Sequence, residues 1–324
     1  ADVPEAEEND TWDLTDWHIY SQDVFHKPTV TAKFFNSKVT FEVPVSITER
    51  QVKESFSNAA QLNGFISMIY AAVEKSMTIK ADALIMRTIN NMIAETVLAD
   101  AQAFGATAAG DMAGADLSSA STARCVNLLK LYNDKYFPAQ PPATGGGELT
   151  PNPDALTPAK AITDPDFIRF ASYVMGTYAD RLQSISTVFN VGGKERFTPK
   201  DMLHVVLLSD FAKAAQTYLY SDTFNRGDVL FPQAETVPFW QGSGQNYEFA
   251  STGHIKVKES GGKAVEISGV LGVMFDRDAL GVCNLDRRVT TNYNAKAEFF
   301  NNYYKFDAGY FNDTNENFVV FFIE

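Results

Sequence analysis

The stretch from Val270 to Glu324 constrains the fold most, because it is one strand-sized apolar run after another. Val270-Leu-Gly-Val-Met-Phe275 reads as a short buried strand, Asp276-Arg-Asp-Ala-Leu-Gly281 as a turn, and Val282 to Tyr293 as the start of a further strand. Phe299-Phe300, Tyr303-Tyr304-Lys-Phe306, Gly309-Tyr310-Phe311 and Phe318-Val-Val-Phe-Phe-Ile323 follow. Runs this rich in aromatic and β-branched residues are aggregation sites when unpaired. This end of the chain is therefore expected inside a sheet.

A second strand signal lies near the front. Val39, Phe41, Val43 and Val45 alternate with Thr40 and Glu42, the period of a half-buried strand. Asn36-Ser37-Lys38 can turn the chain, with Val30 to Phe35 as the partner strand of a hairpin. A two-stranded arm is not stable alone, so Phe34, Phe35 and Phe41 need a surface to lie on, either another subunit or the arm's own domain.

Two long helices are expected next. Thr48-Glu-Arg-Gln51 fits a capping box, in which each side chain satisfies the other's free backbone N–H. Val52, Phe56, Ala59, Leu62, Ile66, Ile69 and Val73 form one stripe at helical spacing. Thr78 is placed to cap a second helix, whose face is Ile85, Ile89, Met92, Ile93 and Val97, ending near Ala103.

Residues 104–123 turn small and polar around Gly105, Gly110 and Gly114, as a loop or boundary does, and a short helix is expected from Ala123 to Tyr136. Pro138 to Pro165 holds seven of the 13 prolines with Gly145-Gly146-Gly147, a density of breakers that predicts a surface insertion without packed elements. Asp164-Pro165 starts a helix with Phe167, Ala171, Val174, Tyr178, Leu182 and Ile185 on its buried face. Leu203 to Leu208 reads as a strand, Ser209-Asp210 as the cap of a helix over 211–218, and Ile255/Val257 against Val265/Ile267 as a hairpin around Ser260-Gly261-Gly262. The elements are mixed and segregated without a repeated βαβ unit, the pattern of the α+β class.

Reactive chemistry has little support. His18, His26, His204 and His254 are scattered without metal-type spacing. Asp164-x-Asp166 and Asp276-x-Asp278 each sit where a cap or turn already requires an Asp. Gly192-Gly193-Lys194 and Gly261-Gly262-Lys263 lack the rest of a phosphate loop, and no nucleophile elbow or dinucleotide fingerprint occurs. Neither a catalytic residue, a cofactor nor a metal is predicted. A net charge of −13, with no run among its 27 basic residues, disfavours nucleic-acid binding as the main task. It suits a wall that DNA does not stick to. Cys125 and Cys283 give no disulfide framework and are expected as buried small hydrophobes. No run reaches the length of a membrane span and no signal peptide is seen, so the expected setting is the cytosol.

The order of an apolar strand, Asp276-Arg-Asp278, a strand, the pair Arg287-Arg288, an aromatic cluster and a terminal strand resembles the C-terminal end of tailed-phage major capsid proteins of the Hong Kong 97 type, most closely the phi29 type. The likeness runs back through Leu203 to Asp210 and the helical region 48–104. It implies an extended hairpin loop in residues 1–47 that reaches over a neighbouring subunit, with Phe34, Phe35, Lys38 and Phe41 as contact candidates. It also implies a peripheral domain over 48–120 with a long spine helix, an axial domain over 121–270 carrying the 138–165 insertion, and C-terminal strands over 271–324 that return to a long antiparallel sheet of the peripheral domain. The N-terminal arm and outgoing loop strand of the pattern are not recognisable here.

The resemblance implies a subunit that builds hexamers and pentamers of an icosahedral phage head, assembled in the host cytoplasm and located in the virion. Its partners would be copies of itself and neighbouring capsomers, with scaffolding, portal and decoration proteins as further candidates, and it would enclose double-stranded DNA without reading its sequence. No membrane contact is implied. An encapsulin-like nanocompartment shell shares the fold, and a soluble α+β enzyme is the remaining alternative. Lys33 and Lys38 suit the lysine side of the covalent cross-link some relatives make, but nothing marks an asparagine partner.

Overall fold

A computed structural model describes residues 33–55, 59–140, 149–220, 234–241, 253–258 and 264–324. Its centre is a five-stranded sheet of β2 (Cys125–Asn127), β10 (Phe318–Phe322), β7 (Val270–Asp276), β3 (Leu203–Leu208) and β4 (Glu235–Val237), in that spatial order. β10 runs parallel to β2 and antiparallel to β7, so the C-terminal strand lies inside the sheet. Burial on both faces explains its unbroken apolar sequence. Val319, Phe321 and Ile323 point into one core, and Phe318, Val320 and Phe322 into another. Val205 and Leu207 divide from Val206 and Leu208 in the same way, as the two-residue period of a strand requires.

The first core is roofed by α3 (Leu128–Tyr136), α5 (Pro165–Arg181) and α6 (Ser209–Tyr220). Asp164 caps α5 by accepting from the N–H groups of Asp166 and Phe167, both at 2.9 Å, which places Phe167, Ala171, Tyr178 and Leu182 in the core. Ile185, expected on that buried face, is exposed because the helix ends at Arg181 and the chain turns away. The second core is covered by the C-terminal part of α2 (Ala59–Ala99), by Phe104 and Trp240, and by the hairpin of β5 (Ile255–Lys258) and β6 (Ala264–Ile267). That hairpin has the expected register, Ile255 opposite Ile267 and Val257 opposite Val265.

Beyond this body projects a long, thin unit. Its sheet has the order β1 (Lys38–Thr48), β9 (Phe299–Asn312), β8 (Leu280–Asn294), all antiparallel. The expected hairpin partner of β1 is corrected here. Lys38 to Thr48 pair with Gly309 to Phe299, while residues 33–37 carry no strand and 30–32 lie outside the described residues. The local turn signal loses to a fourteen-residue strand, β9, that offers eleven ladder partners.

The two expected helices are also one. α2 runs 41 residues, about 60 Å, straight through Thr78, whose hydroxyl donates to Glu74 O one turn back instead of capping a new start. A separate short helix, α1 (Glu49–Ser55), precedes it. Its capping box forms as expected, with Thr48 N donating to Gln51 Oε1 and Gln51 N to Thr48 Oγ1, each at 3.2 Å. Phe56, assigned to the first helical stripe, lies outside the described residues.

The Pro-rich segment is more ordered than its composition suggests. Gln140 and Thr150 exchange two 2.9 Å backbone hydrogen bonds, and the short α4 (Pro158–Ala161) buries Ala161 in the first core. Residues 141–148 lie outside the described residues. Cys125 is buried as expected, whereas Cys283 is exposed on β8.

Candidate assembly surface

The projecting unit is one-sided. Phe41, Val43 and Val45 of β1, Tyr304, Phe306, Ala308 and Tyr310 of β9, and Val282 of β8 pack with Val73, Met77 and Leu84 of α2 in a small core. Arg287 clips β8 to α2 through Glu74 at 3.0 and 3.1 Å, and its guanidinium stacks over Phe306. The opposite face of the sheet carries Lys38, Thr40, Lys305 and Asp307. Asp307, whose side chain is 6% exposed, receives Arg288 Nη1 at 2.6 Å and Thr40 Oγ1 at 2.6 Å, with Lys38 Nζ 3.9 Å away.

A helix held along only one stripe shows its remaining faces to solvent. Ile66, Met68, Tyr70, Ile79 and Ile85 of α2 are exposed, and so are Leu285, Val289, Tyr293 and Phe300 on the hairpin of β8 and β9. Ile66 and Ile85, both expected in the core stripe, therefore belong to the outside. Single exposed apolar residues are ordinary, but an extended series on a thin projection marks an interaction surface. The two edges of this sheet, 11 and 15 residues long, are open among the described residues. Edges of that length template pairing with another chain unless covered. The outermost strands of the central sheet, by contrast, are three residues each.

The four contact candidates divide between different surroundings. Phe34 is 90% exposed. Phe35 lies 5.1 Å from the Phe311 ring, with Lys33 Nζ over it at 5.2 Å. Lys38 projects beside Asp307 on the face turned from α2, and Phe41 stacks on Phe306 at 6.2 Å on the other face, against its own helix. Phe34, Phe35 and Lys38 thus gather where the chain enters β1, and Phe41 belongs to the subunit's own packing.

The other polar motifs have structural partners. Asp276 accepts from Asp278 N at 3.0 Å and from Thr198 Oγ1 at 2.8 Å, closing the turn before β8. A side chain on Gly192 would collide with Asn315, its Cβ falling 2.0 Å from Oδ1. His204 stacks on Phe275, and His254 Nε2 lies 3.4 Å from Glu266. Among the described residues no group of acidic, histidine or cysteine side chains could hold a metal, and no helix is long and apolar enough to cross a membrane. A network absent from the sequence reading joins the body to the end of α2. Asp100 pairs with Arg124 and accepts from Thr122 Oγ1 at 2.7 Å, and Arg124 Nη1 donates to Asn190 O at 2.8 Å. These residues are distant in sequence, and no local pattern announces them.

The sequence matches the family described as Phi29-like phage major capsid protein over residues 2–140 and 157–322. The chain belongs to this family. The gap in the match, 141–156, falls within the Pro-rich segment of the capsid protein. The capsid protein is similar in fold to a chain of the capsid structure of Staphylococcus phage Andhra, with a TM-score of 0.53 at 8% identity over 99% of this chain and 79% of that one. A chain in the structure of head fiber and inner core protein gp22 of native bacteriophage P68 gives 0.51 at 9% identity, over 100% and 79%. No curated protein sequence matches it. The α+β fold is of the Hong Kong 97 capsid type, and the capsid protein is the major structural component of a phage head, located in the virion. It makes its capsid lattice with copies of itself.

Proposed function

We propose that the chain forms rings of five and six copies that close into an icosahedral head around double-stranded DNA, and that it performs no catalysis. The projecting unit, with α2 as its spine and β1, β9 and β8 as its long sheet, serves as the peripheral domain. The body around the central sheet serves as the axial domain, and the chain entering β1 laps a neighbour through Phe34, Phe35 and Lys38. Phe41 supports that contact from beneath by holding β1 on its own helix. The carrying observation is the exposed series from Ile66 to Ile85 on α2 and from Leu285 to Phe300 on β8 and β9, which a solitary subunit leaves in water at a cost of about 25 cal/mol per Å².

In this reading the shell is held by many modest contacts repeated by symmetry. The charge of −13 keeps the wall from binding packaged DNA. Scaffolding, portal and decoration proteins are the further partners of such a head. Purified particles test the proposal. Rings of five and six subunits with copurifying DNA support it, and shells that carry a protein cargo instead of DNA refute the phage-head reading in favour of a nanocompartment.

A further inference from the structure

The hydrogen-bond phase of the projecting sheet fixes which backbone groups its two edges show. Ser37 O accepts from Tyr310 N at 3.1 Å, and Glu49 N donates to Glu298 O at 2.9 Å. At both ends of β1, then, an odd-numbered residue bonds to an even-numbered residue of the β9 segment. Bonded and non-bonded pairs alternate along an antiparallel ladder, so every second residue turns both its N–H and its C=O to the far side. β9 therefore gives its odd residues to β8, where their partners beyond the bulge are Asp286, Arg288, Thr290, Asn292 and Asn294. The outer edge of β8 is left with the backbone groups of Arg287, Val289, Thr291 and Tyr293. That of β1 is left with those of Lys38, Thr40, Glu42, Pro44 and Ser46.

The two edges are not equally ready for another strand. β1 carries Pro44 in its middle, with no N–H to give, and Lys38 and Glu42 before it. Proline and charge are the usual blocks on edge pairing. The stretch Val289-Thr-Thr-Asn-Tyr-Asn294 of β8 has neither, and the bulge lies upstream of it, between Asn284 and Asp286. The other outer strands among the described residues are only three or four residues long. The strand that fits the β8 edge is thus a second β8. Antiparallel self-pairing centred on Thr291 also matches the side chains. Val289 comes opposite Tyr293 of the second copy, twice by symmetry, and Thr291 meets Thr291, all favourable cross-strand pairs. Val289 and Tyr293 are both exposed in the single chain. The same register sets Arg288 against Asn294 and brings Asp286 toward Lys296, just past the end of the second copy's strand, so that no like charges oppose each other.

We infer that β8 pairs with β8 of a second copy about a twofold axis at Thr291, joining two three-stranded sheets into one. The inference rests on the reading of the chain as a shell subunit and names the partner strand for one part of the assembly surface.

The test uses the full chain with Cys283→Ser, which removes the exposed thiol and leaves the buried Cys125. Thr291→Cys then places two thiols on directly opposed residues, with Cα atoms about 5.5 Å apart, within disulfide range. Oxidation of the assembled protein by oxygen and copper phenanthroline should turn most of these chains into dimers on a non-reducing gel. Ser46→Cys, on the outer edge of β1, should give at least about tenfold fewer, as an edge blocked by proline does. Chains with Val289→Cys should cross-link to chains with Tyr293→Cys and not among themselves, which reads the register. Thr291→Pro removes an N–H that β9 does not use, so it should leave thermal melting unchanged while closed shells are lost. A missing 291 disulfide, an equal yield at 46, or closed shells from Thr291→Pro overturn the inference. Wild-type shells report on the proposed function separately: shells without the 291 disulfide sink this contact alone, and a 291 disulfide without shells keeps the contact and sinks the function.

Discussion

Arg288 and Asp307 meet diagonally across β8 and β9, with Nη1 donating to Oδ2 at 2.6 Å, while Thr40 on β1 donates to the other carboxylate oxygen at 2.6 Å. One carboxylate thus ties together all three strands of the projecting sheet. The hydrogen bonds from Arg288 and then from Thr40 hold the Asp307 carboxyl below its ordinary value of 3.8. A carboxyl whose folded-state pKa is lowered adds stability above its unfolded value, and this contribution is lost as pH falls through the folded one. Asp307→Asn should lower the urea midpoint at neutral pH, and the difference from wild type should shrink once the pH is below 3.8. Urea titrations across that range measure it, and a pH-independent difference would show that the pair is inert.

Gly269 has φ +64, and a Cβ there would lie 2.0 Å from Ile323 O. Ile323 N in turn donates to Gly269 O at 2.9 Å, fastening the last strand. Gly269→Ala combines left-handed strain with a backbone collision and should cost at least ~2 kcal/mol. Gly110→Ala, at φ +74 with open space around it, should cost only about 1 kcal/mol. Chemical denaturation of both variants gives the comparison.

These two features also show what the sequence could and could not reveal. β10, β3, the β5–β6 hairpin and the Asp164 cap were legible because strand runs, turn residues and caps are local signals. The partner of β1 lies some 250 residues away, and nothing near Val39 encodes it. Thr78 looks like a cap in sequence and forms an ordinary side-chain bond inside α2, since a hydroxyl can bond to either arrangement. Ile66 and Ile85 fit a helical stripe yet are exposed, because periodicity marks an apolar stripe without showing how much of it the rest of the chain covers. Phe34 and Phe35 were expected to lie away from the subunit's own core and are exposed, whereas Ile66 and Ile85 were placed in the core stripe and are exposed as well.

Met68→Glu and Ile79→Lys change α2 side chains that are well exposed in the single chain. Each should leave subunit stability within about 0.5 kcal/mol while blocking assembly, as judged by thermal melting together with sedimentation velocity. Val73→Lys, in the small core beneath the sheet, should instead unfold the projecting unit.

The bridge between Gln140 and Thr150 closes the chain on either side of residues 141–148, and the family match leaves out 141–156. Replacing 141–148 by a short Gly-Ser linker should leave both melting temperature and assembly unchanged. A lost or altered particle size, read by electron microscopy, would instead assign this segment a part in the lattice.

Phe34→Glu should leave a folded subunit, because that ring has almost no contact with its own chain, and should weaken shell closure. Circular dichroism with particle counting decides between this outcome and a purely local role.

The central claim is that the exposed apolar face of α2 and of the β8–β9 hairpin is buried by other copies. A cryo-electron microscopy reconstruction of particles formed by this chain measures it directly. The account predicts closed shells in which Met68, Ile79, Val289 and Phe300 are covered by neighbouring subunits. Shells in which those side chains remain in water, with contacts made elsewhere, would contradict it.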